Sequence, residues 1–463
     1  MTAPAAKGLR ILLLAPDCNP ESISTQLIGY EHAEALSRLH AVTLVVRSRN
    51  AEAVRRAGGS FLGIESVSLP LLDRLYAWAI RRIFRYDYGR QSLTAATYPY
   101  QIAFEWRAWR QLRSRIRSRD FDVVLRILPI VPVLPSPFAF FLRNGPVPFV
   151  IGPLNGGLPW PKGFRQLDKQ RQAAGYWVAN LRGLYRYLPF ARSTYARAKA
   201  IIAASSHTYG EFSRHGDKVF FVPGENGLRT SAFAEAARND TRSGRPLELI
   251  FVGRLIPLKG CDLALRAAAP LLRAHLARFT IVGDGSERES LQELATSLGV
   301  DDAVYFTGWL SSCDTRRQLA KADVLVFPSL REFGGTVVFE ALALGAVPVV
   351  ADFGGPGDVV NPQIGYKIPL VNEDDMVSNL ESTLNNLAKD RNHLETLRRQ
   401  GIAYAREHLA WDSKARSVTD ILRWAVGSGS KPDLRPPTRL TPLDGREGRD
   451  RGRTATWGSR SRG

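Results

Sequence analysis

The sequence predicts an α/β protein of two doubly wound domains, each built on a parallel sheet. The chain has 463 residues, which is long for one compact domain and suits two domains of ordinary size. Hydrophobic residues make up 44% of it, enough for two large cores. In each half, short apolar segments of strand length alternate with helical stretches. This alternation is typical of βαβ units with right-handed crossovers.

The first half, residues 1–230, contains five predicted strands, each short and apolar. They are residues 9–15, 41–46, 121–125, 147–152 and 200–204. A helix is predicted at 25–39, between the first two strands, which completes a βαβ unit. Loops rich in proline and glycine follow two of the later strands, at 129–137 and 152–163. Because ligands bind at the carboxyl ends of parallel strands, these loops are candidates for a binding cleft.

The second half repeats the alternation after a polar linker at 231–245. Its predicted strands are residues 247–252, 279–282, 304–306, 324–327 and 347–351. Its predicted helices are residues 262–276, 287–298, 315–321 and 337–344. We assign residues 246–410 to this second domain. Residues 427–463 consist mainly of Gly, Ser, Pro and Arg with few aliphatic side chains, and we predict a disordered basic tail.

Cysteine usage and hydropathy indicate a cytoplasmic protein. Cys18, Cys261 and Cys313 are isolated and form neither a CxxC pair nor a disulfide framework. The first residues resemble no signal peptide, and no segment reaches the ~20 apolar residues of a membrane-spanning helix. Any membrane contact is therefore expected to be peripheral, on the inner face of the plasma membrane. The oligomeric state stays open.

Residues 74–119 form a basic and aromatic segment, with eleven arginines against two acids. Its apolar residues recur at helical intervals, and apolar faces backed by arginines suit an anionic lipid surface. The alternatives are a helix that packs on the sheet with its arginines solvated, or nucleic-acid binding. No nucleic-acid motif accompanies the segment, so we do not expect a nucleic-acid partner.

Residues 331–345 are the most informative stretch, because Glu332 and Glu340 flank a Gly-Gly turn and a helix-like run. A loop acid can hold one end of a polar ligand, and the amides of a helix N-terminus can hold its phosphates. An acid further along the helix can hold a distant pair of hydroxyls. This layout suits a sugar nucleotide. The alternative is an ordinary helix start with acids near its positive end.

A second motif, which runs from Gly253 to Gly260, directly follows a predicted strand and contains Arg254 and Lys259. Its glycines would let the backbone approach a phosphate closely, and its cations would neutralise that phosphate. A fixed Arg/Lys pair can also stabilise a departing diphosphate without a metal. Two surface cations in a turn are the alternative.

Together these motifs resemble the donor-binding signature of the retaining family 4 glycosyltransferases, which have the GT-B fold. Residues 304–308, 322–329 and 353–359 also fall in the order of that family. The resemblance is strong in the C-terminal half, whereas the N-terminal half matches only in its strand–helix rhythm. It implies two Rossmann-like domains whose sheets face an interdomain cleft. It also implies that a helix at 411–426 crosses back to the N-terminal domain.

The resemblance implies roles for individual residues. Arg254, Lys259 and Glu332 are predicted to be catalytic, the cations at the diphosphate and the acid at the hydroxyls of the donor sugar. Glu340 is predicted to hold the ribose hydroxyls. The other predicted donor-binding residues are Gly253, Gly283, Gly335 and Thr336. For Gly283, a tight turn without ligand contact is the alternative.

Four residues of the first domain are predicted to line the acceptor side of the cleft. They are Gly152, Asn155, Gly156 and Arg126. Residues 151–157 resemble a Gly-Pro-Leu-x-Gly-Gly loop of some bacterial family members. Arg126 follows a predicted strand after which many relatives have a histidine. Many relatives also have a Gly-Gly loop after the first strand, which this chain lacks.

The sequence thus predicts a retaining, hexosyltransferase-type enzyme. It would move a sugar from a nucleoside diphosphate sugar to a glycan or lipid-linked acceptor. The sequence has neither a zinc-type cluster nor an Asp-x-Asp at a strand end, so we expect no metal and no cofactor. A sugar-nucleotide epimerase, a phosphorylase, and an inactive protein that binds polyanions or membranes are the alternatives. A phosphorylase would need a pyridoxal-binding lysine, and none is evident. The base, the sugar and the acceptor stay open.

Overall fold

The computed structural model describes residues 8–74, 97–161, 164, 187–233 and 245–437. Four predicted segments lie partly outside these residues. They are the basic segment 74–119, the loop 152–163, the linker 231–245 and the tail 427–463.

The described part of the first half folds into a seven-stranded parallel sheet in the order β3-β2-β1-β4-β5-β6-β7. The strands are β1 Arg10–Leu14, β2 Ala41–Arg47, β3 Gly63–Val67, β4 Val123–Arg126, β5 Phe149–Leu154, β6 Ala200–Ala203 and β7 Val219–Phe221. The helices are α1 Thr25–Ser37, α2 Ser48–Ala57, α3 Tyr98–Arg117, α4 Phe138–Phe141, α5 Ala191–Arg197 and α6 Ser206–Phe212. Residues on both faces of the central strands are buried, which explains why these strands read as continuous apolar runs.

The second half forms a six-stranded parallel sheet among the described residues, in the order β10-β9-β8-β11-β12-β13. The strands are β8 Leu247–Val252, β9 Ala277–Val282, β10 Val304–Gly308, β11 Val324–Phe327, β12 Val347–Ala351 and β13 Tyr366–Ile368. The helices are α7 Cys261–Arg273, α8 Arg288–Ser297, α9 Ser312–Lys321, α10 Thr336–Leu344, α11 Gly354–Val359, α12 Glu373–Lys389 and α13 Arg391–Tyr404. In both sheets the first strand lies inside and the order reverses beside it, which confirms two doubly wound domains.

The last described helix, α14 Trp411–Ala425, packs on the first domain. Trp411, Val418 and Ile421 lie in one apolar core with residues of β1, β2 and α1. The indole N–H of Trp411 donates to Glu31 of α1 at 2.8 Å. The helix predicted to cross back from the second domain is therefore confirmed.

Three short strands escape the sequence analysis, namely β3, β7 and β13. β3 and β13 are mostly half-buried and carry polar residues, and β7 has only three residues. All three lie at sheet edges. In β3 and β13 partial burial does not demand an apolar run, whereas β7 is apolar and buried but short. None of the described helices is both long and apolar enough to cross a lipid bilayer.

The prediction of a disordered tail is wrong for its first part, residues 427–437. The carbonyl oxygen of Leu434 accepts a hydrogen bond from the amide of Phe221 in β7 at 2.8 Å. Leu434 also packs against the apolar core of the first domain. β7 is an edge strand, and an edge has amides that need a partner, which this stretch supplies.

Candidate functional site

The point where the second sheet reverses its strand order lies between β8 and β11. The loop after β8, residues 253–260, and the loop after β11, residues 328–335, meet there. The amide of Leu330 donates to the carbonyl of Leu258 at 2.9 Å, which ties the two loops together. In open parallel sheets this position forms a crevice for ligands.

Lys259 and Glu332 meet at this position, and their side chains form an ion pair. The two side chains are only 16% and 18% exposed. The ammonium group of Lys259 also lies 5.4 Å from the centre of the Phe327 ring, at the end of β11. A cation and an acid thus lie within hydrogen-bonding distance of each other. Such a pair can bind a ligand in which a phosphate adjoins hydroxyl groups, because ammonium suits the phosphate and carboxylate suits the hydroxyls.

Gly335 directly precedes helix α10 as its N-cap residue, with the left-handed backbone angle φ 66°, which glycine adopts without strain. No side chain caps this helix start in the part of the chain that the structure describes. The first amides of α10 are therefore free of side-chain partners, as an anion site at a helix N-terminus requires. Thr336, the first residue of the helix, is exposed.

Glu340 lies one turn further along α10 and is half-buried. Burial raises the pKa of its carboxyl group, and the nearby charge of Arg316 on α9 partly offsets this. The charge of Glu31 on α1 acts in the same direction as burial. Since Glu31 belongs to the first domain and Arg316 to the second, charges from both domains affect the carboxyl group of Glu340.

Gly253 and Gly283 are packed backbone against backbone at the ends of β8 and β9. A Cβ atom on Gly283 would stand 1.9 Å from the carbonyl oxygen of Gly253, so no other residue fits there. Gly283 has φ 133° and its amide donates to Gly308 at 2.9 Å. Arg254 directly follows Gly253 and is exposed. The predicted donor-binding residues therefore lie on the loops after β8, β9 and β11 or in the first two turns of α10, at the carboxyl end of the second sheet.

Arg126 is not on the surface of a cleft, contrary to our expectation. Its side chain is completely buried and faces the buried Glu105 of α3 at 3.5 Å. Glu105 also accepts hydrogen bonds from Gln101 and Ser136. A buried cation needs such a paired acid, so the position after β4 serves the core of the first domain. Gly152 is likewise buried within β5.

Asn155, in contrast, reaches across to the second domain. Its side-chain amide donates to Glu225 at 2.6 Å and to the carbonyl of Phe333 at 3.1 Å. Its neighbour Gly156 is buried, and its carbonyl accepts from Thr208 at 3.3 Å. Of the four predicted acceptor-side residues, Asn155 is thus the one for which the structure describes a contact with the donor half.

Two further contacts join the domains beside this loop. The guanidinium group of Arg331 donates to the carbonyl of Leu158 at 2.9 and 3.1 Å. Ser206 donates to Asp358 through its amide at 2.8 Å and through its hydroxyl at 2.6 Å. The loop before α10 therefore contacts the first domain on both sides of Glu332.

Sequence reasoning missed a buried polar group beneath this loop, formed by Glu225, Asn226 and Lys414. Burial raises the pKa of Glu225, although its hydrogen bond with Asn155 opposes this. Burial also lowers the pKa of Lys414 to about 7. The available signal was the stretch from Gly224 to Gly227, which begins two residues after β7 and is glycine-rich and polar.

The polar group leaves two amide oxygens, Oδ1 of Asn155 and Oδ1 of Asn226, without a hydrogen-bond partner among the described residues. The described residues also contain no group of three or more His, Cys, Asp or Glu that could hold a metal ion.

Comparison with known proteins finds similarity mainly in the second domain. Residues 233–405 match the family model of glycosyl transferases group 1. An uncharacterized glycosyltransferase of Methanocaldococcus jannaschii is 31% identical over 180 residues, which cover 38% of this chain and 45% of that protein. A GDP-mannose-dependent alpha-(1-6)-phosphatidylinositol monomannoside mannosyltransferase of Mycobacterium tuberculosis is 29% identical over 256 residues, which cover 51% of this chain and 66% of that protein. The chain spans between 34% and 49% of the length of the first curated relatives.

The fold also has solved counterparts. HepE of Anabaena, crystallised in complex with UDP, superposes with a TM-score of 0.57 and 15% identity, covering 90% of this chain and all of that protein. At this identity the likeness concerns the fold. It confirms the GT-B architecture of two Rossmann-like domains that the sequence resemblance implies.

Proposed function

We propose that this protein is a glycosyltransferase that moves a sugar from a nucleoside diphosphate sugar to an acceptor. The observation that carries the proposal is the pairing of Lys259 with Glu332 at the strand-order reversal of a glycosyl transferases group 1 domain. A sugar diphosphate has its phosphates next to its ring hydroxyls. The pair offers a cation and an acid at that same short spacing.

Each residue of the site has a proposed task. Arg254 and Lys259 hold the diphosphate and stabilise the charge that develops as it leaves. The free amides at the start of α10 assist them. Glu332 accepts hydrogen bonds from hydroxyls of the donor sugar, and Glu340 accepts them from the ribose.

The transfer retains the anomeric configuration in this proposal, as in the retaining family 4 enzymes that the motifs resemble. The acceptor hydroxyl attacks the anomeric carbon on the face from which the diphosphate departs. The departing phosphate oxygen takes the proton of that hydroxyl. Closure of the two domains around the donor excludes water, which would otherwise hydrolyse it.

A thermal-shift screen against UDP-, GDP- and ADP-sugars tests donor binding, because a ligand of the native state raises its stability. The GDP-mannose-dependent relative makes GDP-mannose the first compound to include. At a hundredfold excess over Kd, a bound donor stabilises the fold by ~2.7 kcal/mol. A melting temperature that none of these sugar nucleotides raises would contradict the proposal.

Turnover separates the transferase from an epimerase on the same fold. A transferase releases nucleoside diphosphate and needs an acceptor for rapid turnover. An epimerase converts its sugar nucleotide with no acceptor present. We expect acceptor-dependent release of nucleoside diphosphate, and an epimerised sugar nucleotide as the product would contradict this.

We further propose that the acceptor is a glycan or a lipid-linked sugar and that the first domain contacts an anionic membrane surface from the cytoplasmic side. The outer face of α3 supports this contact. Trp106 is 47% exposed there, and the guanidinium group of Arg110 lies 4.9 Å from the centre of its ring. Arg107 and Arg113 are exposed on the same helix. An exposed tryptophan among arginines suits the interface of an anionic bilayer.

Flotation with anionic vesicles tests the membrane contact. Changing Arg107, Arg110 and Arg113 to Glu reverses the charge of this face without touching the proposed donor site. Reversing Arg278, Arg317 and Arg399, which are 57%, 63% and 71% exposed on the second domain, is the matched control. We expect only the α3 variant to stop floating, and equal binding by both variants would contradict the contact.

Metal-independent chemistry without a cofactor is the last part of the proposal. It relies on Arg254 and Lys259 as the stabilising cations. Donor turnover should then persist in a chelator. A complete loss that Mn²⁺ or Mg²⁺ restores would show that a metal ion takes part.

A further inference from the structure

We propose that Asn155 and Glu225 are positioning residues that hold the donor loop, residues 331–336, in the geometry needed for sugar transfer. The inference rests on the proposed function and adds to it two residues from outside the group 1 domain. It is carried by contacts that join three parts of the chain. These are the loop after β5, the segment after β7 and the donor loop itself.

Asn155 makes the connection between the domains. Its side-chain nitrogen donates to Oε2 of Glu225 at 2.6 Å and to the carbonyl oxygen of Phe333 at 3.1 Å. A backbone carbonyl can only accept, so the nitrogen of the amide must face Phe333. Asn155 is itself held, because its backbone amide donates to Ile130 at 2.8 Å. The backbone next to Glu332 is therefore tied to a fixed point of the first domain.

The side chains of Glu225 and Asn226 lie directly against the Gly-Gly turn at Gly334, and we call this pair the seat of the turn. A Cβ atom on Gly334 would stand 2.6 Å from Oε1 of Glu225 and 2.6 Å from Nδ2 of Asn226. Both side chains are buried, at 7% and 5% exposure. The Gly-Gly turn thus lies directly on these two side chains, and it has no room for a side chain at Gly334.

Lys414 of α14 holds the segment that carries Glu225. Its buried ammonium group donates to the carbonyls of Pro223 and Gly224, the latter at 2.7 Å. The same group lies 5.2 Å from the centre of the Phe339 ring on α10. The segment after β7, helix α14 and the first turns of α10 are consequently packed as one unit.

The consequence concerns Glu332, which precedes Phe333 in the chain. The hydrogen bond from Asn155 fixes the peptide between Phe333 and Gly334, one residue beyond Glu332, and the seat beneath Gly334 fixes the turn into α10. Both therefore determine where the Glu332 carboxylate and the first amides of α10 stand relative to the sugar and its phosphates. Small displacements of such groups lower the rate of reaction more than they lower binding of the nucleotide.

The test measures kcat, KM and thermal stability for wild type and five variants. It uses the nucleoside diphosphate sugar, and the matching nucleoside diphosphate, that the screen of UDP-, GDP- and ADP-sugars selects. Asn155→Ala and Glu225→Ala remove the connection. Glu225→Gln keeps an oxygen that can accept from Asn155, and Gly334→Ala disturbs the seat. Ser206→Ala is the matched control, because it weakens a different interdomain contact, to Asp358, and Ser206 does not contact the donor loop.

For Asn155→Ala and Glu225→Ala we expect kcat to fall about tenfold, the effect of one lost hydrogen bond to a positioned group. Stabilisation by the nucleoside diphosphate alone should stay near that of wild type, while the additional stabilisation by the attached sugar is lost. Glu225→Gln should retain kcat to within about twofold, since an accepting oxygen remains. Gly334→Ala should behave like Asn155→Ala, and Ser206→Ala like wild type.

Unchanged kcat in Asn155→Ala and Glu225→Ala, or an equal loss in Ser206→Ala, would overturn the positioning role. Loss of turnover in Glu225→Gln would overturn it as well, because the carboxylate would then act chemically. If Asn155→Ala does not fold, Asn155→Ser takes its place with the same expectation. A wild type that binds none of the sugar nucleotides would instead refute the proposed function, so the two failures are distinguishable.

Discussion

Replacing Lys259 by alanine removes one of the two cations proposed to hold the diphosphate. Loss of a single donor to a developing oxyanion lowers kcat by ~10²–10³, or about 3–4 kcal/mol of barrier. The stability of the fold should also fall, because the ion pair with Glu332 is largely buried, with side chains 16% and 18% exposed. Removing one partner of a fully buried pair costs ~3–5 kcal/mol, since the other charge is left unpaired, and the remaining contact with water makes the cost smaller here. We therefore expect Lys259→Ala to lose at least a hundredfold in kcat while it stays folded with a lowered melting temperature.

The assay is release of nucleoside diphosphate at saturating donor and acceptor, together with thermal unfolding of the same samples. Lys367→Ala is the matched control, since Lys367 pairs with Asp352 at 3.1 Å and is 28% exposed. It lies in β13 of the same sheet and belongs to neither donor-site loop. A Lys259→Ala variant that turns over at nearly the wild-type rate would refute the phosphate role. An equal loss in Lys367→Ala would show that the charge of the whole sheet edge matters, rather than Lys259.

Three further predictions concern stability and binding. Gly283→Ala should lower the free energy of unfolding by ~3 kcal/mol and abolish donor-induced stabilisation, because its Cβ would overlap Gly253. Gly299→Ala, at a positive φ with open space around it, should cost only ~1–2 kcal/mol in chemical denaturation. Burial lowers the pKa of His32 to about 3, so the unfolded chain binds a proton there below pH ~6.5 and the folded one does not. Stability should therefore fall with decreasing pH, by ~2 kcal/mol at pH 5, and His32→Gln should remove this part of the slope, whereas exposed His275→Gln should not.

The architecture could largely be predicted from the sequence because its determinants are local. The central strands of both sheets are buried on both faces, so they appear as apolar runs that no loop would contain. The edge strands β3 and β13 have no such requirement and were missed. The sequences of β7 and of residues 427–437 did not predict the hydrogen bond between Leu434 and Phe221, because that contact depends on where α14 ends.

The donor side of the candidate site was also readable, since its chemistry is concentrated in short motifs. Gly253, Arg254 and Lys259 lie in one loop, while Glu332 lies in another and Glu340 in the helix that follows it. Two parallel strands next to the reversal of strand order necessarily bring these loops together. The direct contact between Lys259 and Glu332 follows from that topology.

The site residues of the first domain were harder to predict from the sequence, and Arg126 shows why. An arginine after a strand looks the same in sequence whether it faces a cleft or the core. Only the position of Glu105 on α3 decides the matter, because it provides the buried acid that lets Arg126 stay inside. Asn155 is the converse case, since its partner Phe333 is 178 positions away in the chain.

The sequence by itself determined the two wound sheets and the motifs at the carboxyl end of the second one, because apolar periodicity and glycine turns act over a few neighbouring residues. Only the tertiary structure decided that Asn155 and Glu225 reach beneath the Gly-Gly turn and that Arg126 turns inward. Those contacts depend on how the two sheets and α14 pack against one another. That packing is set by the shape of the assembled cores and is not encoded in any one segment.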